Sequence, residues 1–350
     1  MARPPRAPMG KVSMRSSTSP CLGRSTTPDM WEGVIDCIEG AQTIAISGHT
    51  NPDGDALGSL LGLGASIRAQ FPEKRVDFLL ADDGPIPRVY RFLPFAGDLE
   101  PAVIHTEVYD LFISVDVPTL ERLEDSAAVA KRALGRVVID HHPTREEFGD
   151  ATVRVTSAAA TAVLVEELLD ATGWPCTPQI ATCLLTGLMT DTGRFQYQNA
   201  NPSAFACASR LVDAGAEPAR IALEVYQSQR LEYLRLESIV MSRIETRSGG
   251  RVAFSYAYAS DLEECGVKPA ECDGLVDIVR QVGGTELCLF LRESAPGVIR
   301  GNLRSKGKLD ISGIAAELGG GGHAAAAGFT FHGTIAQAAA AALPKLEALL

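Results

Sequence analysis

Metal-capable side chains stand close together in one short stretch of the sequence. His49, Asp53 and Asp55 lie within seven residues, between an apolar run at 43–46 and a segment of helical periodicity that begins at Asp55. Pro52 disfavours helix in the residue before it, so the pattern predicts a strand-to-helix turn with Asp55 as the helix N-cap. Imidazole and carboxylate groups on such a turn indicate a metal site, although a polar turn with a helix cap uses the same residue types.

More metal-capable residues directly follow two later apolar runs or end a helical segment. They are Asp116, Asp140, His141, His142 and Asp191. Because the carboxyl ends of parallel strands meet at one edge of a sheet, we expect these side chains to converge with the first three. Two further histidines, His105 and His332, stand apart in the sequence and are predicted to lie on the surface.

Convergence of so many carboxylates requires positive charge. The aspartates at positions 53, 55, 116 and 191 would repel one another in a cleft, and two divalent cations would cancel their charge. Oxygen and imidazole ligands without thiolates favour Mn²⁺ or Mg²⁺, with Fe or Co²⁺ as alternatives, over structural Zn²⁺. A pair of such ions suits phosphoryl transfer, because together they activate a water and clamp the phosphate oxygens.

The elements that must position these residues form an α/β pattern. Apolar runs at 43–46, 75–80, 109–115 and 136–139 alternate with helical segments, which predicts a parallel sheet covered on both faces. A helical region follows, with its last helix running from 218 to about 240. A second, smaller α/β module comes next, and its final helix is predicted at 335–343, ending before Pro344.

We therefore predict a larger domain at 29–214, a helical linker at 215–240 and a second domain at 241–350, with the ligand cleft between the domains. Residues 1–28 have a different composition, rich in Pro, Ser, Thr and Arg. They are predicted to be a disordered extension or the product of a wrongly chosen upstream start codon, with a transit-like or nucleic-acid-binding arm as the alternative.

The bulk composition excludes several classes of function. A net charge of −11 over 350 residues argues against a long nucleic-acid track, but a local group of arginines could still hold a short phosphorylated substrate. No apolar run approaches the roughly 20 residues of a membrane helix, which predicts a protein without a membrane partner. The eight cysteines contain no C-x-x-C pair, as expected in a reducing compartment such as the cytoplasm.

The candidate residues also resemble a known family. The pattern of His49-x-x-x-Asp53-x-Asp55, Asp116, Asp140-His141-His142 and Asp191 resembles the four motifs of the DHH phosphoesterase superfamily. Near the C-terminus, four glycines and His323, followed by Ala326-Ala327-Gly328, resemble the signature of the DHHA1 domain. The likeness runs from about residue 44 to residue 329, and it implies a parallel-sheet catalytic domain with a smaller substrate-binding domain.

The resemblance implies a role for each motif residue. One ion would be held by His49, Asp53 and Asp116, and the other by Asp55, Asp116, His141 and Asp191, so that Asp116 bridges them. Asp140 would orient a histidine, and His142 would contact the scissile phosphate or donate a proton to the leaving oxygen. The substrate-binding residues implied in the second domain are Asn302, Arg304, Ser305, Gly320, Gly321, Gly322 and His323.

Within the superfamily, the size and the two-domain layout resemble the NrnA-like group. That group degrades short RNA (nanoRNA) to mononucleotides and removes the 3′-phosphate of adenosine 3′,5′-bisphosphate (pAp), and its members often form dimers. The resemblance thus implies short single-stranded RNA or nucleotide substrates, two divalent cations with Mn²⁺ preferred, and a homodimer. A phosphodiesterase for cyclic or linear dinucleotides is the alternative, and a non-catalytic nucleotide-binding regulator is a further one.

Overall fold

A computed structural model describes residues 28–307 and 309–350. The predicted N-terminal extension, residues 1–28, lies outside the described residues except for Pro28, where a short 3-10 turn begins. The described chain has α/β architecture, as predicted, and its strands form two six-stranded sheets.

The first sheet is entirely parallel, as predicted. Parallel sheets are usually covered by helices on both faces, and their strands are therefore apolar along their whole length. Its strands are β1 (Thr43–Ser47), β2 (Arg75–Leu80), β3 (Leu99–Pro101), β4 (Leu111–Val115), β5 (Gly135–Asp140) and β6 (Ala151–Arg154). Their order is β3-β2-β1-β4-β5-β6. The order reverses between β1 and β4, and a crevice at such a point is the usual ligand site of an open α/β sheet.

Seven helices belong to this part of the described chain. They are α1 (Glu32–Gly40), α2 (Gly54–Gln70), α3 (Ser126–Arg132), α4 (Thr161–Thr172), α5 (Pro178–Asp191), α6 (Pro202–Asp213) and α7 (Pro218–Tyr226). α2 is buried along nearly its whole length and packs most closely against α5. The short strands β3 and β6 were not predicted, because neither carries an apolar run.

The second sheet is mixed and belongs to the C-terminal part of the chain. Its elements are α8 (Leu231–Ser242), β7 (Glu245–Arg247), β8 (Val252–Ala257), α9 (Ala259–Cys265), α10 (Val276–Arg280), β9 (Leu287–Ala295), β10 (Val298–Ser305), α11 (Ser312–Glu317), β11 (Gly321–Gly322), β12 (Ala326–His332) and α12 (Ile335–Glu347). The strand order is β11-β12-β10-β9-β8-β7. One core lies between this sheet and α12, and another lies on the opposite face, beneath α8, α9 and α10.

Two sequence predictions about helices and one about the exposure of a side chain are wrong. The helix predicted from 218 to 240 is two helices, α7 and α8, because the chain leaves helical geometry between Gln227 and Arg230. α7 packs on the core of the first sheet, whereas α8 packs on that of the second. The last helix continues through Pro344 to Glu347, and His105 is buried, where its Nδ1 lies 2.8 Å from the hydroxyl oxygen of Tyr109.

No helix among residues 28–307 and 309–350 combines the length and the apolar character needed to cross a bilayer.

Candidate metal centre

The first group of predicted ligands comes from the turn after β1. Nε2 of His49 lies 3.8 Å from Oδ1 of Asp53 and 3.6 Å from Oδ2 of Asp116. The imidazole is fixed because its Nδ1 lies 2.8 Å from the Thr50 carbonyl oxygen, to which it donates, and this leaves Nε2 free to act as a ligand. The N-cap of α2 is Asp53 and not Asp55, since Oδ1 of Asp53 accepts from the backbone N–H groups of Asp55 and Ala56.

The second group lies beside the first and is more deeply buried. Nε2 of His141 is 3.8 Å from Oδ2 of Asp55, 3.6 Å from Oδ1 of Asp116 and 3.7 Å from Oδ2 of Asp191. Its Nδ1 donates to the carbonyl oxygen of Ala158 at 3.2 Å, so Nε2 again points into the group. Ligand atoms of His49, Asp53 and Asp116 lie within 4.8 Å of one another, close enough to hold a cation, and the same is true of Asp55, His141 and Asp191.

Asp116 lies between the two groups, with Oδ2 facing His49 and Oδ1 facing His141. It follows β4 directly and has a positive φ of 61°, a conformation that is strained for a residue with a side chain. Its backbone N–H donates to the carbonyl oxygen of Ile139, which holds this conformation at the sheet edge. The strained backbone directs one carboxylate toward both groups.

Buried carboxylates in this centre repel one another. Burial, together with the negative charges of Asp116 and Asp191, raises the pKa of Asp55 well above its ordinary value. Burial is the main cause that raises the pKa of Asp191 to about 6; the charge of His141 opposes this shift, and the carboxylates of Asp53 and Asp116 add to it. Ionisation of Asp55 and Asp191 beside the other carboxylates is therefore unfavourable without added positive charge.

The histidines show the same excess of negative charge. Burial alone would lower the pKa of His49, but contacts with Asp116 and Asp53 raise it to about 10. Burial is likewise outweighed at His141, where the charges of Asp191, Asp116 and Asp55 raise the pKa to about 9. Two divalent cations would supply the missing charge, so this set of oxygen and imidazole donors fits them.

The remaining residues of the Asp-His-His motif form a chain of contacts beside the centre. Oδ1 of Asp140 lies 2.8 Å from Nδ1 of His142, and the guanidinium of Arg154 donates to Oδ2 of Asp140 at 3.1 Å. Nδ1 of His142 also lies 3.5 Å from Oδ1 of Asp116. Asp140 therefore orients His142 and remains outside the two groups just described.

The second domain reaches this centre through His323. Its ring stacks on that of His142 with 4.6 Å between centroids, and it lies 5.5 Å from the ring of His141. Burial and the neighbouring His142 and His141 lower the pKa of His323 to about 4, so the ring is neutral at physiological pH.

The glycines before His323 have two different structural roles. A Cβ at Gly320 would lie 2.0 Å from the carbonyl oxygen of Gly328, and one at Gly322 would lie 2.6 Å from that of Ala326, so both are needed for close strand pairing. A Cβ at Gly321, by contrast, would meet no atom within 4 Å among the described residues. Of the three glycines predicted to bind substrate, Gly321 is thus the one beside open space.

On β10 the predicted substrate-binding residues bury polar atoms that have no hydrogen-bond partner among the described residues. These atoms are Oδ1 of Asn302, Nε of Arg304 and Oγ of Ser305. Such atoms are costly to bury and are common where a ligand completes the contacts.

Sequence reasoning missed the residue that holds two of the carboxylates. Thr161, the first residue of α4, donates its backbone N–H to Oδ2 of Asp55 at 2.6 Å and its hydroxyl to Oδ1 of Asp116 at 2.9 Å. The N–H of Ala162 donates to Oδ1 of Asp55 at 2.9 Å. The sequence conceals this helix start, because the alanines at 158–160 are strong helix formers and suggest that the helix begins before Thr161.

Comparison with known proteins agrees with this geometry. The N-terminal domain of the DHH family matches residues 43–188, and the DHHA1 domain matches residues 249–350. A Thermus thermophilus protein named bifunctional oligoribonuclease and PAP phosphatase NrnA is 34% identical over 318 residues, which cover 89% of this chain and 92% of that protein. The chain belongs to the DHH family.

Other relatives of this DHH protein agree with that assignment. A Bacillus subtilis protein, also named bifunctional oligoribonuclease and PAP phosphatase NrnA, is 28% identical, and the match covers 83% of this chain and 90% of the relative. The crystal structure of an exopolyphosphatase-related protein from Bacteroides fragilis has a TM-score of 0.85 and 28% identity, with coverage of 94% of this chain and 99% of that one. A Geobacillus thermodenitrificans protein named cyclic-di-AMP phosphodiesterase GdpP is 26% identical, but the match covers only 44% of its length and 82% of this chain.

Proposed function

We propose that this chain is a metal-dependent phosphoesterase that hydrolyses short RNA oligonucleotides to mononucleotides and converts pAp to AMP. The observation that supports this proposal most strongly is the position of Asp116, whose two oxygens face the two His/Asp groups separately. The names of the Thermus and Bacillus relatives support the choice of substrates.

In this proposal His49, Asp53 and Asp116 hold one cation, and Asp55, Asp116, His141 and Asp191 hold the other. Mn²⁺ is the metal we propose, because carboxylate and imidazole donors without thiolates favour Mn²⁺ or Mg²⁺ and the resemblance to the DHH superfamily implies Mn²⁺. The cations would polarise the phosphate and lower the pKa of the attacking water.

The residues beside the centre would act on the substrate. His142 would contact the scissile phosphate and donate a proton to the leaving oxygen, with Asp140 and Arg154 keeping its imidazole oriented. Its pKa is raised, because the bond to Asp140 and the charge of Asp116 outweigh the effect of burial, and this favours the protonated form that a donor needs. Asn302, Arg304, Ser305, the three glycines 320–322 and His323 would bind the nucleotide from the second domain.

We further propose that the enzyme is a cytoplasmic homodimer. The cysteines of the described residues are all unpaired, as a reducing compartment requires. Large apolar side chains on three consecutive helices are about half exposed, namely Phe205, Leu223, Leu231, Leu234 and Met241, and a dimer interface would cover such residues. The molar mass in solution, measured by light scattering, tests whether the chain forms a dimer.

The test of the activity is Mn²⁺-dependent hydrolysis of an RNA series from dimer to 24-mer, with pAp and cyclic di-AMP in parallel. We expect rapid release of mononucleotides from the shortest RNAs and of phosphate from pAp. Asp116→Ala should lower both rates by about a thousandfold or more, because both cations lose a ligand. The matched control is Asp213→Ala, at the exposed end of α6.

Three outcomes would contradict the proposal. Equal or faster hydrolysis of the long RNAs would indicate a general exonuclease, and turnover of cyclic di-AMP alone would indicate the dinucleotide phosphodiesterase. If Asp116→Ala retained both nucleotide binding and biological effect, the regulator interpretation would replace the enzyme.

A further inference from the structure

Three arginines lie outside the two His/Asp groups, two on neighbouring strands of the second sheet and one in the first domain. Arg292 on β9 and Arg300 on β10 are directly opposite one another in the antiparallel pairing. Arg122 comes from the first domain, and the positive charges of Arg292 and Arg122 both act on the guanidinium of Arg300. We refer to Arg122, Arg292 and Arg300 as the arginine cluster.

The arginine cluster is poorly compensated within the described residues. Arg292 is 7% exposed, and its Nε and Nη1 are buried without a hydrogen-bond acceptor of suitable geometry. The carboxylate of Asp273 lies 3.1 Å from Nη1, but this side chain is mostly exposed to solvent. Arg300 donates to the hydroxyl of Thr330 at 3.2 Å, which adds no negative charge.

This arrangement is unfavourable unless an anion completes it. Like charges directly opposite on neighbouring strands destabilise a sheet, and a buried guanidinium N–H that lacks an acceptor, such as Nε of Arg292, loses its hydration without replacement. Burial and the other two arginines lower the pKa of Arg300 despite the opposing charge of Asp273. The protein as a whole carries a net charge of −11, so this local excess of positive charge is not a general property of its surface.

The position of Arg122 connects the arginine cluster to the metal centre. Its Nη2 lies 3.5 Å from Nδ1 of His49, and its backbone carbonyl accepts from the N–H of Thr50. Arg122 therefore lies beside the first His/Asp group, and its positive charge also acts on Arg300. An anion bound by the arginine cluster would be near the reacting phosphate, yet separate from it.

We propose that Arg122, Arg292 and Arg300 form a subsite for a second phosphate of the substrate, the 5′-phosphate of pAp or of a 5′-phosphorylated oligonucleotide. The inference rests on the proposed function, in which the 3′-phosphate of pAp occupies the metal centre. A dianionic phosphate accepts from several guanidinium groups at once, which a single carboxylate cannot do as fully. The subsite would also favour cleavage next to a phosphorylated chain end, because a terminal phosphate carries more charge than an internal phosphodiester.

The kinetic test compares pAp with adenosine 3′-phosphate, which has the same scissile group and no 5′-phosphate. In Arg300→Gln we expect the KM for pAp to rise by about 10- to 100-fold, the effect of losing a charged hydrogen bond, with little change in kcat. Hydrolysis of adenosine 3′-phosphate should remain as in the wild type. Arg300 is only half-buried, so its replacement should be tolerated, and Arg292→Gln is the second variant.

The matched control is Arg247→Gln, an exposed arginine on the edge strand β7 of the same sheet. It should leave the KM of both substrates unchanged. If Arg300→Gln slowed the two substrates equally, or neither of them, the arginine cluster would have no role in holding the 5′-phosphate and the inference would be overturned.

A binding measurement separates this inference from the proposed function. Calorimetric titration of the metal-loaded protein with AMP should give a dissociation constant at least about tenfold higher for Arg300→Gln than for the wild type. If the wild type hydrolysed neither pAp nor RNA but this difference in AMP affinity were found, the proposed function would fail and the phosphate subsite would stand. Equal AMP affinities would overturn the subsite even in an active enzyme.

Discussion

Asp55 and Asp116 are both held by Thr161, which is not itself one of the proposed metal ligands. Its backbone N–H fixes Asp55 and its hydroxyl fixes Asp116, so one helix start aligns a carboxylate from each of two other elements. Hydrogen bonds of this kind orient metal ligands, and their loss commonly weakens metal affinity by about 10- to 100-fold.

Thr161→Val is therefore expected to weaken metal binding by about 10- to 100-fold while it preserves side-chain volume and the backbone bond to Asp55. The measurement is pAp hydrolysis as a function of Mn²⁺ concentration, where a higher half-saturating concentration and a nearly restored kcat at saturation are expected. Thr182→Val is the matched control, because that hydroxyl donates to the Pro178 carbonyl oxygen within α5. An unchanged Mn²⁺ dependence in Thr161→Val would contradict the role assigned to the hydroxyl.

Between elements, the decisive contact is that of α2 with α5. Glycines at every fourth position of α2 face α5, and a Cβ at Gly58 would lie 2.3 Å from the carbonyl oxygen of Cys183. At the same crossing, a Cβ at Gly187 would lie 2.9 Å from Oδ1 of Asp55. The close approach of the two helices brings Asp191, at the end of α5, to Asp55, at the start of α2.

Gly58→Ala should lower the free energy of unfolding by about 1–3 kcal/mol, since backbone atoms of α5 must move to admit the methyl group. Urea denaturation followed by circular dichroism measures this difference. Gly40→Ala, where a Cβ meets no described atom within 4 Å, is the control and should be neutral or slightly stabilising. Equal stability of the two variants would show that α2 and α5 can separate at little cost.

For the whole molecule, the contacts between the two domains determine whether His323 reaches the metal centre. Besides His323, the contacts include the hydroxyl of Tyr197, which donates to Asp277 at 3.2 Å, and the guanidinium of Arg280, which lies 4.6 Å from the Tyr197 ring centroid. The side chain of Gln198 donates to the carbonyl oxygen of Gly307 at 2.7 Å. These few polar contacts hold the second domain over the metal centre.

Tyr197→Ala should shift the molecule toward an open arrangement, because it removes both the hydrogen bond and the cation–π contact. We expect kcat/KM for pAp to fall by about tenfold and the radius of gyration from small-angle scattering to increase. Tyr197→Phe retains the ring beneath Arg280 and should have a smaller effect. If neither quantity changed in Tyr197→Ala, other contacts would suffice to keep the domains together.

Much of this protein could be predicted from the sequence, because the relevant signals are local. Apolar runs and turn residues predicted the parallel sheet, and the edge of that sheet predicted that His49, Asp116 and His141 would meet. The limits of local signals appear at residues 218–240, where helical periodicity continues although α7 and α8 pack on different cores. They appear again at His105, which lies outside every predicted strand and is buried because its ring contacts Tyr109.

The sequence alone determined the residue types of the centre, their order and their place after parallel strands, since these depend on chain direction and strand pairing. Only the tertiary structure decided which oxygen of Asp116 faces which histidine, that Thr161 holds two carboxylates, and that Arg122 lies beside His49. These contacts join residues far apart in the chain, so they depend on how helices and domains pack, which no short stretch of sequence specifies.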